Sequence, residues 1–143
     1  MSDLEIDQKK RYLKRYKKNK ALIDRLEAKL TDLDERICRI RSPKFSDMPK
    51  GGTPVDLADL IDDKLELERR INRLVQKGRS YKSEILDIID EAEDPRHAEV
   101  LEAFLIDCKT FEEIAEESGY TTRHVIRLYS KAVDSIKLSV NSQ

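Results

Sequence analysis

The run Thr110-Phe-Glu-Glu-Ile-Ala-Glu-Glu-Ser-Gly-Tyr-Thr-Thr-Arg-His-Val-Ile-Arg-Leu-Tyr-Ser-Lys-Ala-Val-Asp-Ser-Ile136 decides how this chain folds. Thr110 and, three residues later, Glu113 make a capping box, which satisfies free backbone N–H groups at a helix start. The short helix that follows turns Phe111, Ile114 and Ala115 inward. Gly119 ends it, because glycine takes the left-handed conformation that reverses the chain without a Cβ clash. Thr121 or Thr122 then caps a second helix. Its apolar face is Val125, Leu128, Ala132, Val133 and Ile136, which leaves Arg123, His124, Arg127 and Lys131 pointing elsewhere. Helix, tight turn and helix in this order are the anatomy of a helix-turn-helix.

Immediately upstream, Asp94-Pro95 is a cap followed by a proline at a position where its missing N–H costs nothing. It opens a helix with Ala98, Leu101, Phe104 and Leu105 on one face. Three helices are the fewest that bury such a face in so small a unit, so residues 94–143 are expected to form a three-helix domain. Its expected core is Leu101, Phe104, Leu105, Phe111, Ile114, Ala115, Tyr120, Val125, Leu128, Ala132, Val133 and Ile136.

Residues 1–93 read as a helical arm: helix 4–41, linker 42–54 and helix 54–92. In the first helix Tyr12, Tyr16, Ile23, Leu26, Leu30, Leu33, Ile37 and Ile40 make a heptad seam interrupted by Asn19. The linker holds three of the four prolines, and Phe45 and Met48 are expected to tuck over the seam. Thr53-Pro54 restarts a helix, where Leu57, Leu60, Leu67, Ile71, Leu74, Tyr81, Ile85 and Ile88 keep the same rhythm, with Lys64 and Gly78 at seam positions. Two arrangements cover the first seam. One is a hairpin with the second helix; the other is a dimeric coiled coil, a homodimer through Ile23, Leu26, Leu30, Leu33, Ile37 and Ile40 with Asn19 setting the register. Either way the fold class is all-α.

Composition agrees. Charged residues are 40% of the 143 and aromatics 6%, a balance that favours helices with wide solvated faces. Cys38 and Cys108 lie far apart without a metal-ligand pattern, which reads as two reduced thiols in a cytoplasmic protein. No apolar run approaches a membrane span, and no cofactor or metal is expected. The many carboxylates sit at helical spacing beside lysines and arginines, and His97 and His124 are isolated, so no catalytic residues are assigned.

A net charge of −1 conceals segregation. Residues 1–41 carry 13 Lys/Arg against 8 Asp/Glu, densest at Lys9, Lys10, Arg11, Lys14, Arg15, Lys17 and Lys18. Residues 83–118 carry 13 acidic residues against Arg96 and Lys109 alone, and after Gly119 the balance returns to +3. A phosphate backbone is drawn to the two ends and repelled by the middle. The basic run is therefore a candidate accessory nucleic-acid contact.

The run Phe111-Glu-Glu-Ile-Ala-Glu-Glu-Ser-Gly-Tyr-Thr-Thr-Arg-His-Val-Ile-Arg-Leu-Tyr-Ser-Lys-Ala resembles the C-terminal DNA-binding domain of bacterial sigma factors, in which the Glu-Ile-Ala element, the glycine turn and the terminal Lys-Ala recur at the same relative positions. The linker Ser42-Pro43…Ser46-Asp47-Met48-Pro49-Lys50-Gly51-Gly52 between a charged helix and this ending resembles small proteins of Gram-positive bacteriophages, similar in layout to the RinA and ArpU class of late-gene transcription regulators. That resemblance implies promoter recognition near phage structural genes, in the cytoplasm of a bacterial host, with host RNA polymerase as a partner.

From helix geometry, the first turn of the second helix enters the major groove of double-stranded DNA. Thr122, Arg123, His124 and Arg127 are the expected base or phosphate readers, with Ser130 and Lys131 nearer the backbone edge and Thr121 able to donate to a phosphate. Arg123 and Arg127 suit specificity, since a guanidinium bonds two acceptors of guanine at once. The alternative is a protein-binding adaptor that docks its acidic segment 83–118 on a basic surface.

Overall fold

The computed structural model describes residues 3–41 and 54–136. The linker, with Phe45, Met48 and the cap expected at Thr53, lies outside the described residues. The chain is all-α, with no strand among the described residues. The helices are α1 (Asp3–Leu13), α2 (Arg15–Arg41), α3 (Pro54–Asp90), α4 (Pro95–Leu101), a π-helical turn (Glu102–Ile106), α5 (Phe111–Ser118) and α6 (Thr122–Ser135). No helix among the described residues is long and apolar enough to cross a membrane. Where a single helix 4–41 was expected, Lys14 marks an irregular turn. Lys14 N–H still donates to the Lys10 carbonyl at 3.0 Å and Lys18 N–H to the Lys14 carbonyl at 2.9 Å, so helical bonding carries across it.

The chain divides into two compact units, but not at residues 93 and 94. One unit takes in the described residues up to Lys18 and from Gly78 onward; the other is Asn19–Lys77. In the second unit the Asn19 side-chain amide donates to the Leu74 carbonyl at 2.9 Å, and Lys64 Nζ meets Asp34 Oδ1 at 2.9 Å. Low residue numbers on α2 therefore match high ones on α3, and the two segments run antiparallel. Leu26, Ile37 and Ile71 are buried within this unit, while Ile23, Leu30, Leu33 and Ile40 are only half-buried. Asn19, expected to set the register between two chains, here bonds a carbonyl of its own chain. Asn19 is buried at 8% exposure, and leaving its amide unpaired there would cost about 1–3 kcal/mol, which favours the register that makes this bond.

The first unit is built on the core Leu13, Ile85, Ile89, Val100, Leu101, Phe104, Leu105, Ile106, Ile114, Ala115, Val125, Leu128, Tyr129, Ala132, Val133 and Ile136. Ten of the twelve core residues expected from sequence are buried; Phe111 and Tyr120 are half-buried and pack against the rest. The additions are instructive. Leu13 comes from α1 and Ile85 and Ile89 from the end of α3, so the three-helix domain recruits both ends of the expected arm. Val100 enters from the regular turn of α4, and Ile106 enters because the helix begun at Pro95 then widens. Asp107 N–H bonds back to the Glu102 carbonyl at 3.0 Å, five residues away, and the wider turn lets Phe104, Leu105 and Ile106 all face inward. Lys109 N–H closes the end on the Ala103 carbonyl at 3.0 Å, over Cys108, whose φ of 60° is left-handed.

Phe104 and Phe111 stack with centroids 4.3 Å apart, and the Tyr129 ring stands edge-on to Phe104 at 4.9 Å. The Tyr129 hydroxyl is buried without a hydrogen-bond partner among the described residues, and burial pushes its pKa from an ordinary 10.0 up to about 12. Tyr129→Phe is expected to stabilise the protein by about 1 kcal/mol at neutral pH, because it removes a buried polar group that gains no bond. The folded pKa lies above the unfolded one. Stability that is present below pH 10 is therefore lost as pH climbs from 10 toward 12, by up to about 1.4 kcal/mol per unit. Urea titrations at pH 7 and pH 11 check both effects: the phenylalanine variant should be the more stable and should lack the part of the alkaline slope that tyrosine contributes.

Candidate nucleic-acid interface

The local geometry between Thr110 and Ile136 follows its residues closely. Thr110 Oγ1 accepts from Glu113 N–H at 3.1 Å while the Glu113 carboxylate accepts from Thr110 N–H at 2.9 Å, which is the complete capping box. Gly119 has φ of 79° and its N–H bonds the Ala115 carbonyl at 3.0 Å. Thr121, not Thr122, caps α6, its Oγ1 accepting from His124 N–H at 3.1 Å. Each of these contacts spans four residues or fewer, which is why sequence alone places them, to within one residue at the start of α6.

Helix α6 is sharply two-sided. Val125, Leu128, Tyr129, Ala132 and Val133 are all at or below 4% exposure, and Arg123, Arg127, Ser130, Lys131 and Asp134 are exposed. Steps of three and four residues put Arg123, Arg127 and Ser130 along the middle of the outer face, with Lys131 on one flank. Thr122 is half-buried at the start. His124 is also half-buried and packs edge-on against Tyr120, centroids 4.8 Å apart, so its ring is held at the margin of the face and not free in solvent. Ile126, which sequence reading did not single out, lies on the other flank at 43% exposure. The available signal was an isoleucine outside the periodicity of the buried face.

The basic run of the first helix is placed differently from expectation. Lys9 is 5% exposed, and its ammonium donates to the Asp134 carbonyl at the end of α6, 3.2 Å away. A cation there complements the negative end of the helix dipole. Arg15 bonds Glu84 at 2.7 Å and the Tyr12 carbonyl at 3.0 Å, and its guanidinium lies over the rings of Tyr12 and Tyr81 at 3.8 and 4.6 Å. Arg15, with the Tyr12 hydroxyl as second donor, holds the Glu84 carboxyl below the usual carboxylate range. Lys17 and Lys14 sit over the Phe104 ring at 4.4 and 5.8 Å. The cause is Leu13: burying it turns the flanking basic residues onto protein. Lys9 and Arg15 are thus engaged internally, whereas Arg11 and Lys18 are exposed and Lys10 half-buried.

Negative charge is carried by α5 and by the stretch between α3 and α4, while on α6 itself the acidic residue is Asp134, near the C-terminal end. Glu112, Glu113, Glu116 and Glu117 are exposed on α5, Glu117 pairing with Lys109 at 2.6 Å. An open cavity of about 410 Å³ is lined by Glu91, Glu93, Asp94 and His97 from one side and Ser135 and Ile136 from the other. His97 lies 3.8 Å from Asp94 and not beside His124. Among the described residues no group of three or more His, Cys, Asp or Glu is arranged to hold a metal ion. Compared with known proteins, the chain matches no family model, no curated protein and no solved structure.

Proposed function

We propose that this chain is a sequence-specific DNA-binding transcription regulator that presents the outer face of α6 to the major groove, without enzymatic activity of its own. The observation that supports this most is the row of exposed Arg123, Arg127, Ser130 and Lys131 on a helix whose opposite face is buried. Such a helix offers bidentate donors for guanine and a lysine for the phosphates. Ile126 supplies an apolar contact of the kind that a thymine methyl group makes. The resemblance to sigma-factor and phage late-gene regulators adds bacterial RNA polymerase as a partner and the cytoplasm of a bacterial host as the setting. A single small module rarely holds a site tightly alone, so a second subunit or polymerase completes the binding.

A second reading rests on the exposed Glu112, Glu113, Glu116 and Glu117 of α5, a surface suited to a basic protein partner. Selection of random duplex DNA by the full chain separates the two. The DNA reading expects an enriched motif whose footprint spans a major groove; the adaptor reading expects none, with retention of a basic partner such as a polymerase subunit.

A further inference from the structure

Resting on the DNA reading above, we propose that Lys10, Lys14 and Lys17 form a second DNA contact, holding phosphates of one strand beside the groove that α6 enters. Steps of four and three residues place these lysines in one row. Lys14 N–H bonds the Lys10 carbonyl at 3.0 Å and Lys18 N–H the Lys14 carbonyl at 2.9 Å, so the row runs unbroken across the junction of α1 and α2. The neighbouring faces are taken. Lys9 and Leu13 are buried, with Lys9 against the end of α6, and Tyr12 and Arg15 meet Glu84 of α3. Helical spacing puts the row on the flank opposite Tyr12 and Arg15, where Lys14 and Lys17 stand over the Phe104 ring at 5.8 and 4.4 Å.

Phe104 lies within segment 83–118, which carries 13 acidic residues, yet none of them pairs with Lys10, Lys14 or Lys17 among the described residues. Three half-buried cations left unneutralised in so acidic a unit keep their attraction for an anion from outside. The Phe104 ring also links the row to α6. It meets Tyr129, the neighbour of the exposed Ser130, at 4.9 Å, so the Lys17 ammonium is no farther than about 10 Å from that ring, one Debye length at 0.1 M salt. Row and helix face therefore act together on one polyanion. Spacing fits as well: Lys10 to Lys17 covers roughly 10 Å of helix axis, and a DNA strand carries a phosphate about every 3.4 Å. Three lysines meet roughly three phosphates, which positions the duplex while the α6 arginines read it.

Salt titrations of the full chain test the proposal, on the duplex motif that the wild type selects and on a random duplex of equal length. The triple variant Lys10→Gln, Lys14→Gln, Lys17→Gln should flatten the slope of log affinity against log salt by about 2–3 on both duplexes and leave the preference between them unchanged. Ethylation interference should mark a cluster of phosphates in the wild type that the glutamine variant no longer shows. The triple Lys→Arg variant keeps the charge and the cation over the ring, so it should match the wild type. If it falls with the glutamine variant, packing and not charge carries the effect, and the proposal is overturned. Lys29→Gln, Arg36→Gln, Arg70→Gln removes as much charge from exposed positions of the other unit. An equal loss there, or a glutamine triple with slope and phosphate cluster intact, also overturns it. A wild type that selects no motif but shows the row-dependent slope sinks the specific reading of α6 and supports the row; one that binds neither duplex ends both.

Discussion

Leu13→Ala is expected to lower the stability of the unit that carries α4, α5 and α6 by about 2–5 kcal/mol, although it lies roughly a hundred residues away in sequence. Leu13 has 0% exposure and sits in one cluster with Ile85, Leu101, Leu105 and Val133. Truncating it leaves a cavity among side chains already held by three other helices, so little collapse can offset the loss. Urea unfolding with hydrogen exchange of α6 amides gives the measurement. The Asn19–Lys77 unit serves as control, because none of the residues that cover Leu13 belongs to it. Fragment 94–143 lacks Leu13, Ile85 and Ile89 together and is expected not to fold by itself. A stable, cooperatively unfolding fragment would show that the recruited side chains are dispensable.

The second large effect is on DNA binding. Against a duplex motif selected by the wild type, Arg123→Ala and Arg127→Ala should each cost about 1–3 kcal/mol, and the pair at least about 30-fold in affinity. Neither arginine is buried, and neither appears in an ion pair among the described residues, so folding should be preserved and circular dichroism unchanged. Lys131→Ala should weaken binding evenly across sequences and reduce the salt dependence, the mark of a phosphate contact. Binding that survives both arginine substitutions, with capture of a basic partner intact, would favour the adaptor reading.

These two experiments probe different parts of what the residues specify. Thr110, Glu113, Gly119 and Thr121 act on backbone groups a few positions away, and the helix, turn and helix they delimit follow from hydrogen-bond satisfaction within that span. The seam of α2 and α3 was equally legible as a pattern, since burial repeats every three or four residues on any packed helix. The pattern is silent on what covers it: the same seam suits a hairpin or a pair of chains, and it is contacts such as Asn19 to Leu74 and Lys64 to Asp34 that show α2 and α3 of one chain side by side. The interface was legible in the same partial way. Arg123, Arg127, Ser130 and Lys131 lie where helical periodicity puts them, whereas Ile126 emerges only from its exposure.

By itself, then, the sequence determined an all-α chain, the starts of α4, α5 and, to within one residue, α6, the glycine that ends α5, and Arg123, Arg127, Ser130 and Lys131 on the outer face of α6. Tertiary structure decided what those elements are packed with. Lys9 meets the Asp134 carbonyl across 125 residues, and Arg15 meets Glu84 across 69. A basic run that looks solvated in isolation thereby becomes a brace for the unit it folds against. The widened turn at Glu102–Ile106 belongs to the same class, for it trades one helical register for the burial of three consecutive apolar side chains. The physical reason is range. Caps and turns are settled by the free energy of neighbouring backbone groups, whereas a buried leucine or a desolvated lysine is settled by whichever distant surface removes it from water.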